Sequence, residues 1–394
     1  MNDYSLFENT YQKLFRWIKH NNYCGYDPYD GMNNEYFKKK MRNNRICFYW
    51  IQFHKMWPYN LRPFLGIQKT VSNKGTGLIV QALLKSKIEN SNSEIKKLIS
   101  HLLNTSLKDK YGMYFWSPHN FDLCASTFPG SIQCFTHDTP AIVGTEECAT
   151  AFLEYYKKFG KFKEVIIDVK DFIMKEFIQN NSIVYMKYSF ITPSSILVYN
   201  ASSIGFSYLV RVNKIIQDST ISKLAKKYFD FLVSQQHKNG AWDYAINLKT
   251  GKRTKLTDYH QGFILNSLYD FKKYTEQSEE KHFKSLLKGA KFYREEQFFN
   301  DGRCKYRYPG TWPVDIHNQA QGIITFSKLS EIESEYLEFA KTIAKWTIEN
   351  MQDEAGYFYY QKWPFFTNKI PYMRWGQSWM MLALATLLEA MKNE

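Results

Sequence analysis

The segment Gly240-Ala-Trp-Asp-Tyr244, followed by Tyr259-His260 at the start of a predicted helix, decides the fold because it recurs along the chain. Related aromatic segments are Gly112-Met-Tyr-Phe-Trp116, Val184-Tyr-Met-Lys-Tyr188, Gly302-Arg-Cys-Lys-Tyr306 and Gly356-Tyr-Phe-Tyr-Tyr360. The matching helix starts are Gly144-Thr145, Tyr199-Asn200, Ile316-His317 and Arg374-Trp375. The spacing is about 57 residues, and a unit of two helices buries its apolar faces only when neighbouring units stack or close into a ring.

Hydrophobic periodicity predicts two concentric sets of helices. The predicted inner helices are 73–89, 144–159, 199–216, 258–274, 315–330 and 374–391. The predicted outer helices are 42–57, 93–107, 162–178, 219–237, 280–299 and 335–351. The sequence therefore predicts an all-α fold, an (α/α)6 barrel or toroid with short aromatic strand-like loops at one mouth. We expect residues 1–41 to form an irregular N-terminal cap and residues 42–394 to form a single toroid domain.

The composition indicates a large core and a positively charged surface. Hydrophobic residues make up 44% of the 394 residues, aromatic residues make up 18%, and the formal net charge is +14. Such a field attracts acidic polymers, nucleic acid or a membrane surface. Many lysines, such as Lys157-Lys158 and Lys226-Lys227, fall on predicted outer helices, where a solvated face explains them. Because no nucleic-acid-binding module is recognisable, we expect no nucleic-acid partner.

The N-terminal residues and the cysteines bear on the compartment. Met1-Asn-Asp-Tyr-Ser-Leu-Phe7 lacks a basic start followed by an apolar run, and no window is long and apolar enough for a transmembrane helix. We therefore expect a cytoplasmic protein. The cysteines, which show no CxxC spacing, are Cys24, Cys47, Cys124, Cys134, Cys148 and Cys304. This pattern favours structural thiols over disulfides or a zinc site, and we expect neither a metal nor a cofactor.

Nucleotide-driven and zinc-peptidase chemistry are disfavoured by the motifs that the sequence lacks. There is no GxxxxGK[ST] phosphate loop, no GxGxxG turn after a strand and no HExxH helix. In a helical barrel, the loops that lead into the inner helices carry the chemistry, because a rigid scaffold holds them in place.

Two of these loops repeat one spacing, in which a histidine follows an aspartate by two residues. The pairs are Asp258 with His260 and Asp315 with His317. Each aspartate also stands where a helix N-cap would stand, and capping alone is an alternative explanation. The repetition favours catalysis, with both histidines as bases. The predicted catalytic set is His260, His317, Asp258 and Asp315, with Tyr306, Tyr308 or Tyr372 as acids.

Other residues of the same loops are candidates for binding a sugar. Arg307 and Arg374 would bind a carboxylate, and Arg374 is the strongest single candidate. A ring of indole faces would pack on sugar rings, although core packing explains the aromatic residues equally well. The remaining predicted substrate-binding residues are Trp116, Trp242, Trp312, Trp375, Asn200, Asn318 and Asp122.

Several segments resemble the VpsJ-type polysaccharide-biosynthesis proteins. The segments are Gly25-Tyr-Asp-Pro-Tyr-Asp-Gly31, Asn60-Leu-Arg-Pro-Phe-Leu-Gly66, Asp315-Ile-His-Asn-Gln-Ala-Gln321 and Thr367-Asn-Lys-Ile-Pro-Tyr-Met-Arg-Trp375. The resemblance runs from about Tyr23 to Leu388, and it implies a six-hairpin toroid and a role in exopolysaccharide or capsule synthesis. Where relatives show a Trp-x-Phe-Asp-Trp run, this chain has Trp116-Ser-Pro-His-Asn-Phe-Asp122.

Three functions remain open, because the toroid hosts glycoside hydrolases, lyases and epimerases alike. Lyase or epimerase chemistry on a uronate needs a base and a cation near the substrate carboxylate, and the loops supply both. Hydrolysis needs two facing carboxyl groups. Spacing singles out no pair among Asp122, Asp138, Glu146, Asp243, Asp258 and Asp315. We expect uronate-directed epimerase or lyase chemistry on an acidic or neutral oligosaccharide or polysaccharide, with a glycoside hydrolase and a non-catalytic glycan-binding subunit as alternatives.

Overall fold

The computed structural model describes residues 2–40, 43–86, 91–128, 131–180 and 183–393. Its α-helices are α1 Asp3–His20, α2 Glu35–Lys40, α3 Asn44–Met56, α4 Asn73–Lys85, α5 Ser91–Asn104, α6 Lys108–Tyr111, α7 Ile142–Phe159, α8 Lys163–Phe172, α9 Tyr199–Ile216, α10 Ser219–Ser234, α11 His260–Tyr274, α12 Glu280–Glu296, α13 Ile316–Leu329, α14 Glu335–Met351 and α15 Trp379–Ala390. A 3-10 turn spans Asp30–Met32, and π-helical turns span Ile173–Phe177 and Met373–Ser378.

The strands are short. They are β1 Leu123–Phe128, β2 Ser131–Phe135, β3 Ile178–Asn180, β4 Val184–Met186, β5 Ile196–Val198, β6 Ala245–Asn247, β7 Arg253–Thr254, β8 Val314–Asp315, β9 Gln361–Lys362 and β10 Thr367–Asn368. They form two antiparallel hairpins, β1-β2 and β3-β4, and two three-stranded sheets with the orders β5-β6-β7 and β10-β9-β8. β5 and β8 run directly into inner helices, so the sheets lie around the ends where those helices begin.

The inner helices form a closed ring. Helices α4, α7, α9, α11, α13 and α15 pack side by side in that order, and α15 returns to pack against α4. The outer helices α5, α8, α10, α12 and α14 each pack on the inner helix that precedes them. The predicted (α/α)6 toroid is therefore confirmed. The first inner helix is predicted to reach residue 89, but residues 87–89 lie outside the described residues.

The sixth outer position belongs to α1, which packs against α15 and α14. Its side chains Phe7, Tyr11, Leu14 and Ile18 are buried, because the apolar residues recur every three or four positions and face α15. This helix stands where an irregular cap is predicted. The predicted outer helix at 42–57 corresponds to α3, which instead packs against β1, β2 and the 3-10 turn. The predicted domain boundary at residues 41 and 42 lies outside the described residues.

Glycines in three aromatic segments show that α1 completes the ring. Gly240, Gly302 and Gly356 all have positive φ, near 100°, 90° and 100°. A Cβ on Gly240 or Gly302 would lie 2.4 or 2.7 Å from a backbone oxygen of α12 or α14, respectively. A Cβ on Gly356 would lie 2.8 Å from the Lys13 oxygen, in α1. Each glycine thus lets the chain pass close to the next outer helix.

A polar side chain near the start of each of five inner helices joins that helix to an aromatic segment. The side-chain amide of Gln261 accepts a hydrogen bond from the backbone N–H of Trp242 and donates one to the backbone carbonyl of Trp242. Gln377 makes the same two bonds to Phe358. The equivalent bonds come from Thr145 to Trp116, from Ser202 to Met186, and from Gln319 to Cys304 and Gly302. These bonds satisfy buried backbone groups and fix the loops at the mouth.

The hairpin β1-β2 corrects one cysteine prediction. Cys124 and Cys134 lie opposite each other in its register and form a disulfide. The sequence alone does not indicate that these two cysteines are paired, because they become neighbours only in the folded hairpin. Cys24, Cys148 and Cys304 are free thiols. No helix within the described ranges has the length and apolar character needed to cross a bilayer.

Candidate active site

Two cavities lie inside the ring, one at each end. The mouth cavity, of about 460 Å³, lies where the inner helices begin, and its lining includes Tyr29, Lys55, Lys74, His119, Asn200, Tyr244, Lys255, Asp258, Tyr259, His260, Tyr306, Arg307, His317, Arg374 and Trp375. The opposite cavity, of about 640 Å³, lies where they end, and its lining includes Glu146, Glu147, Arg211, Asp270 and Lys328. Ile204 and Phe263 line both cavities and form the floor between them.

The charges of the opposite cavity neutralise one another. Arg211 lies 2.6 Å from Glu146 and 3.8 Å from Asp270, and Lys328 lies 3.1 Å from Asp270. Burial, followed by the repulsion of Glu146, raises the pKa of Glu147 to about 7. The larger cavity is therefore a network of mutual ion pairs, whereas the mouth cavity holds the histidines that the sequence singles out.

His260 is oriented by Asp258. Asp258 Oδ1 accepts the His260 backbone N–H at 3.1 Å and lies 2.5 Å from the ring Nδ1. The aspartate thus accepts the first backbone N–H of α11 and also holds the imidazole. With Nδ1 donating to the carboxylate, Nε2 is the nitrogen that can accept a proton.

His317 has the same spacing but a different environment. Asp315 Oδ1 accepts the His317 backbone N–H at 2.9 Å and the Trp375 indole N–H at 3.0 Å, while Oδ2 accepts from Gln361 at 2.7 Å. Neither ring nitrogen of His317 has a hydrogen-bond partner, although the residue is buried. Burial, with the nearby charge of Lys74, holds the pKa of His317 well below its usual value. The imidazole is therefore neutral.

Tyr259 lies between the two histidines. Its ring stacks on His260 at 4.2 Å and on His317 at 4.3 Å between centroids, and His317 stacks on Trp379 at 4.7 Å. This column fixes both imidazoles along one wall of the mouth cavity. A sugar placed against that wall would meet both histidines and Tyr259.

The N-terminal segment and α3 supply another part of the wall. Lys55 donates to the Tyr29 hydroxyl at 2.8 Å and lies 5.6 Å from the Trp375 ring centre. Burial alone would lower the pKa of Lys55, but Tyr29 and other nearby groups raise it, so the lysine is charged. Trp375 is held by Asp315, as described above. The indole and the ammonium therefore reach the cavity from fixed positions.

Arg374 lines the cavity and also holds the N-terminal segment. Its Nε and Nη2 donate to the two oxygens of Asp27 at 2.6 and 2.9 Å, and both residues are buried. Burial alone would raise the pKa of Asp27, but the Arg374 guanidinium holds it below the usual value. A second buried pair, Arg62 with Asp30 at 2.6 Å, lies close by. Arg374 is thus part of the scaffold as well as of the lining.

The mouth cavity is strongly cationic. Within the described lining, Asp258 is the one carboxylate, against the cations Lys55, Lys74, Lys255, Arg307 and Arg374. Burial lowers the pKa of Lys74 from its usual value, in spite of Glu147 beyond the floor. The excess of positive charge is typical of a site for an anion.

Buried polar atoms without partners mark the same wall. The Asn200 oxygen, His119 Nδ1 and both ring nitrogens of His317 have no hydrogen-bond partner within the protein. Burial, with the charge of Arg374, lowers the pKa of His119 to about 3. Unpaired buried polar groups are costly. Water molecules, or a ligand with several hydroxyl groups, would supply the missing hydrogen bonds.

Two predicted tryptophans are core residues instead of cavity residues. Trp116 and Trp242 are buried, and their indole N–H groups donate to the carbonyl oxygens of Leu102 and Leu232, respectively. Trp312 packs against the Arg303 guanidinium and does not line the mouth cavity. The prediction of a ring of indole faces is therefore wrong. Of the four predicted tryptophans, Trp375 alone lines the mouth cavity.

Five other predicted residues also lie outside the described lining of the mouth cavity, and one of them is Asp315, which holds Trp375. Tyr308 is exposed and packs against Phe292, and Tyr372 is buried beneath the Arg62 guanidinium. Asn318 donates to the Lys305 and Tyr306 carbonyl oxygens, which shapes the loop that carries Tyr306 and Arg307. Asp122 lies 3.0 Å from His137 on the surface.

The structure adds cavity residues that the sequence analysis does not assign. Lys55, Lys74, His119, Tyr29 and Tyr259 all line the mouth cavity. His119 and Tyr259 lie within loops that the repeat already marks, so proximity to those loops is a usable signal. Lys55 and Tyr29 come from segments without the repeat, and no sequence pattern points to them.

No protein-family model matches the chain, and no curated protein matches it in sequence. Solved structures do match. Cellobiose 2-epimerase from Bacillus thermoamylovorans is 12% identical with a TM-score of 0.64, covering 82% of this chain and 88% of the other. The Lin0763 protein from Listeria innocua is 15% identical with a TM-score of 0.64, covering 100% and 99%. A GH76 alpha-mannanase from Bacteroides thetaiotaomicron is 13% identical with a TM-score of 0.61, covering 82% and 88%.

These similarities show a shared fold. Two of the three named proteins are carbohydrate-processing enzymes, one an epimerase and one a mannanase. At such low identity, the residues of the mouth cavity have to be interpreted by themselves. The chain is similar in fold to (α/α)6 toroid carbohydrate-active enzymes.

Proposed function

We propose that this protein is a carbohydrate-active enzyme that moves a proton at the carbon next to the carboxylate of a uronate, as a uronate epimerase or lyase does. The observation that carries the proposal is the Asp258–His260 pair in a cavity with an excess of cations. A role in exopolysaccharide or capsule synthesis is proposed from the sequence resemblance alone.

His260 is the proposed base. Its Nε2 takes the proton from C5 of the sugar, and the imidazolium that forms lies beside the Asp258 carboxylate, which stabilises it. Arg307 and Lys55, whose cationic groups line the cavity, bind the substrate carboxylate. Negative charge grows on that carboxylate as the proton leaves, so the cations bind the transition state more strongly than the substrate.

The carbanion then follows one of two routes. In an epimerase, a proton returns to C5 from the opposite face of the ring. In a lyase, the C4–O4 bond breaks, a C4=C5 double bond forms, and the leaving oxygen takes a proton. Burial raises the pKa of Tyr306, so its phenol stays protonated and is the proposed donor in either route.

The hydrolase alternative has less support, because the carboxylates that it needs are occupied elsewhere. Asp122 pairs with His137, Asp138 with Lys110, Glu146 with Arg211 and Asp243 with Arg253. Asp315 is engaged by Gln361 and Trp375. Asp258 therefore lacks a second carboxyl group across the described mouth cavity, and hydrolysis requires one.

The test is a screen of the purified protein against neutral and uronate-containing oligosaccharides. Each bound sugar is followed for deuterium uptake from heavy water, for ultraviolet absorbance of a new C4=C5 double bond, and for new reducing ends. Deuterium uptake supports an epimerase, and new absorbance supports a lyase. New reducing ends without new absorbance would identify the protein as a glycoside hydrolase. Binding of a uronate without any reaction would identify it as a non-catalytic glycan-binding subunit. Failure to bind any uronate overturns the proposal.

A further inference from the structure

Helix α3 is apolar on both of its faces, but the protein covers one face alone. The inward residues Cys47 and Ile51 are buried. The outward residues Ile46, Tyr49, Phe53 and Met56 follow a helical spacing and are exposed, Tyr49 by 68% and Met56 by 77%. Large apolar side chains that cluster on an exposed helix face mark an interaction site, so the outer stripe of α3 calls for a partner.

The stripe is part of a larger surface. Phe53 stacks on Trp57 at 5.4 Å, and Trp57 lies 6.4 Å from Tyr59. The β9-β10 hairpin lies alongside, because Asn368 donates to the Trp57 carbonyl oxygen, and its tip carries Phe365, which is 98% exposed.

Most of the exposed apolar side chains belong to this region. Among the described residues, ten of the thirteen large hydrophobic side chains that are exposed lie in 36–64 and 365–366. We call the exposed residues of these two segments the aromatic face. They are Tyr36, Ile46, Tyr49, Phe53, Met56, Trp57, Tyr59, Phe64, Phe365 and Phe366. A concentration of exposed large apolar side chains of this kind is typical of an interaction site.

The same segments are free of negative charge. Residues 36–69 contain eight basic residues and no acidic residue, although Arg62 is buried against Asp30 and Lys55 lines the mouth cavity. Residues 361–369 contain Lys362 and Lys369 and no acidic residue. Lys38, Lys39, Lys40 and Arg45 are exposed in the first of these segments, and Lys38 lies 3.1 Å from Glu35, which precedes the segment. The partner is therefore expected to be both apolar and anionic.

We propose that the aromatic face binds the surface of an anionic lipid bilayer. A bilayer offers hydrocarbon to Ile46, Met56 and Phe365 and negative headgroups to the lysines at once. A hydrated polysaccharide cannot cover aliphatic side chains in this way. A second copy of the chain would oppose basic clusters to basic clusters across a twofold axis.

Binding in this manner would hold the mouth cavity close to the membrane. Helix α3 carries the aromatic face on its outer side and contributes Lys55 to the cavity. The inference does not depend on the reaction proposed above, because it uses none of the catalytic residues. It adds a location to the protein's chemistry.

The test is cosedimentation of the full chain with vesicles of phosphatidylcholine alone and of phosphatidylcholine mixed with phosphatidylglycerol. The wild type is expected to bind the mixed vesicles at least about tenfold more strongly than vesicles of phosphatidylcholine alone. Its binding to the mixed vesicles is expected to weaken at high salt. The variant Phe53→Ser/Met56→Ser is expected to lose that binding. A Lys38→Gln/Lys39→Gln/Lys40→Gln variant is expected to weaken it. The matched control is Phe159→Ser, which removes an exposed phenyl ring from the end of α7 and is expected to bind as the wild type does.

Circular dichroism and thermal unfolding verify that each variant is folded. Equal binding to both kinds of vesicle, no binding to either, or unchanged binding by Phe53→Ser/Met56→Ser overturns the proposal. A dimer in light scattering that this variant dissociates would assign the aromatic face to a second copy. If the protein binds a uronate polymer but not vesicles, and Phe53→Ser/Met56→Ser abolishes that binding, the aromatic face is a glycan-binding surface.

Discussion

Two residues with one sequence signature have different chemistry in this protein. Asp258 and Asp315 both accept the backbone N–H of a histidine two residues later, at the start of an inner helix. Asp258 also meets the ring of its histidine, whereas Asp315 is drawn to Trp375 and Gln361. The spacing predicts the caps, since these depend on local backbone geometry. It does not predict which imidazole gains a carboxylate, because that depends on Gln361 and Trp375, which lie 46 and 60 positions after Asp315 in the sequence.

Replacing Asp258 with Asn should separate orientation from capping. Asparagine still accepts the His260 backbone N–H, but it does not stabilise the imidazolium of His260, so turnover should fall by about 100-fold or more with little loss of stability. Steady-state rates and thermal unfolding of Asp258→Asn measure the two effects. The comparison is Asp315→Asn, which should alter the position of Trp375 and raise KM more than it lowers kcat. Full turnover by Asp258→Asn would remove the pair from the mechanism.

Arg374 should behave as a structural residue as well as a binding residue. Removing one partner of a buried ion pair leaves the other charge uncompensated, so Arg374→Ala should lower the free energy of unfolding by about 3–5 kcal/mol. Urea unfolding measures this loss. The double variant Arg374→Met/Asp27→Leu removes both charges and should be less destabilised than the single variant. A fully stable Arg374→Ala that binds uronates poorly would show that Arg374 serves binding alone.

At the scale of elements, the sequence predicts helices better than it predicts their places. Five of the six described inner helices begin within two residues of the predicted start, because the repeat and the periodicity agree there. Helices α1 and α3 lie outside the repeat. Both have apolar periodicity, and the sequence alone does not reveal which of them closes the ring.

Matched truncations should distinguish these two helices. Leu14 in α1 is fully buried, so Leu14→Ala should lower the free energy of unfolding by about 2–5 kcal/mol. Ile46 in α3 is exposed, and Ile46→Ala should change the free energy of unfolding by no more than about 0.5 kcal/mol. Urea unfolding of both variants is the measurement. Equal losses, or a larger loss for Ile46→Ala, would contradict the placement of α1 in the outer ring.

At the scale of the whole molecule, the repeat made the toroid predictable, whereas the site was predictable in part. His260, His317, Arg307 and Trp375 come from loops that the repeat marks, and they line one cavity. Trp116 and Trp242 come from equivalent loops but pack inward, because the hydrophobic gain of burying an indole is large and each indole N–H finds a carbonyl. Lys55 reaches the cavity from α3, outside the repeat.

The buried histidines should make stability depend on pH. Burial lowers the pKa of His54 to about 4 and of His119 to about 3, and it holds that of His317 well below its usual value. An unfolded histidine has a pKa of about 6.5, so below that pH the unfolded chain binds protons that the folded chain refuses. These histidines cost no stability above about pH 6.5, and their protonation in the unfolded chain lowers the free energy of unfolding progressively as the pH falls below that value.

Urea unfolding at pH 7 and pH 5 measures this effect. Between about pH 6 and pH 4.5, each such histidine should remove about 1.4 kcal/mol per pH unit. The variant His54→Gln should show a shallower pH dependence by about that amount. Burial raises the pKa of Glu147 to about 7 and that of Asp30 to about 6, so these carboxyl groups act in the opposite direction over the same pH range, and the decisive comparison is between His54→Gln and the wild type. An identical pH dependence of the two proteins would show that His54 takes up its proton in the folded state.

The most direct test of the proposed chemistry is the exchange of the C5 proton of a bound uronate oligosaccharide in heavy water, followed by nuclear magnetic resonance. The wild type and the His137→Ala control, whose altered side chain lies on the surface, should exchange this proton at the same rate. His260→Ala should exchange it at least about 100-fold more slowly. No exchange by wild-type protein that has bound the sugar, or exchange by His260→Ala at the wild-type rate, would contradict the assignment of His260 as the base.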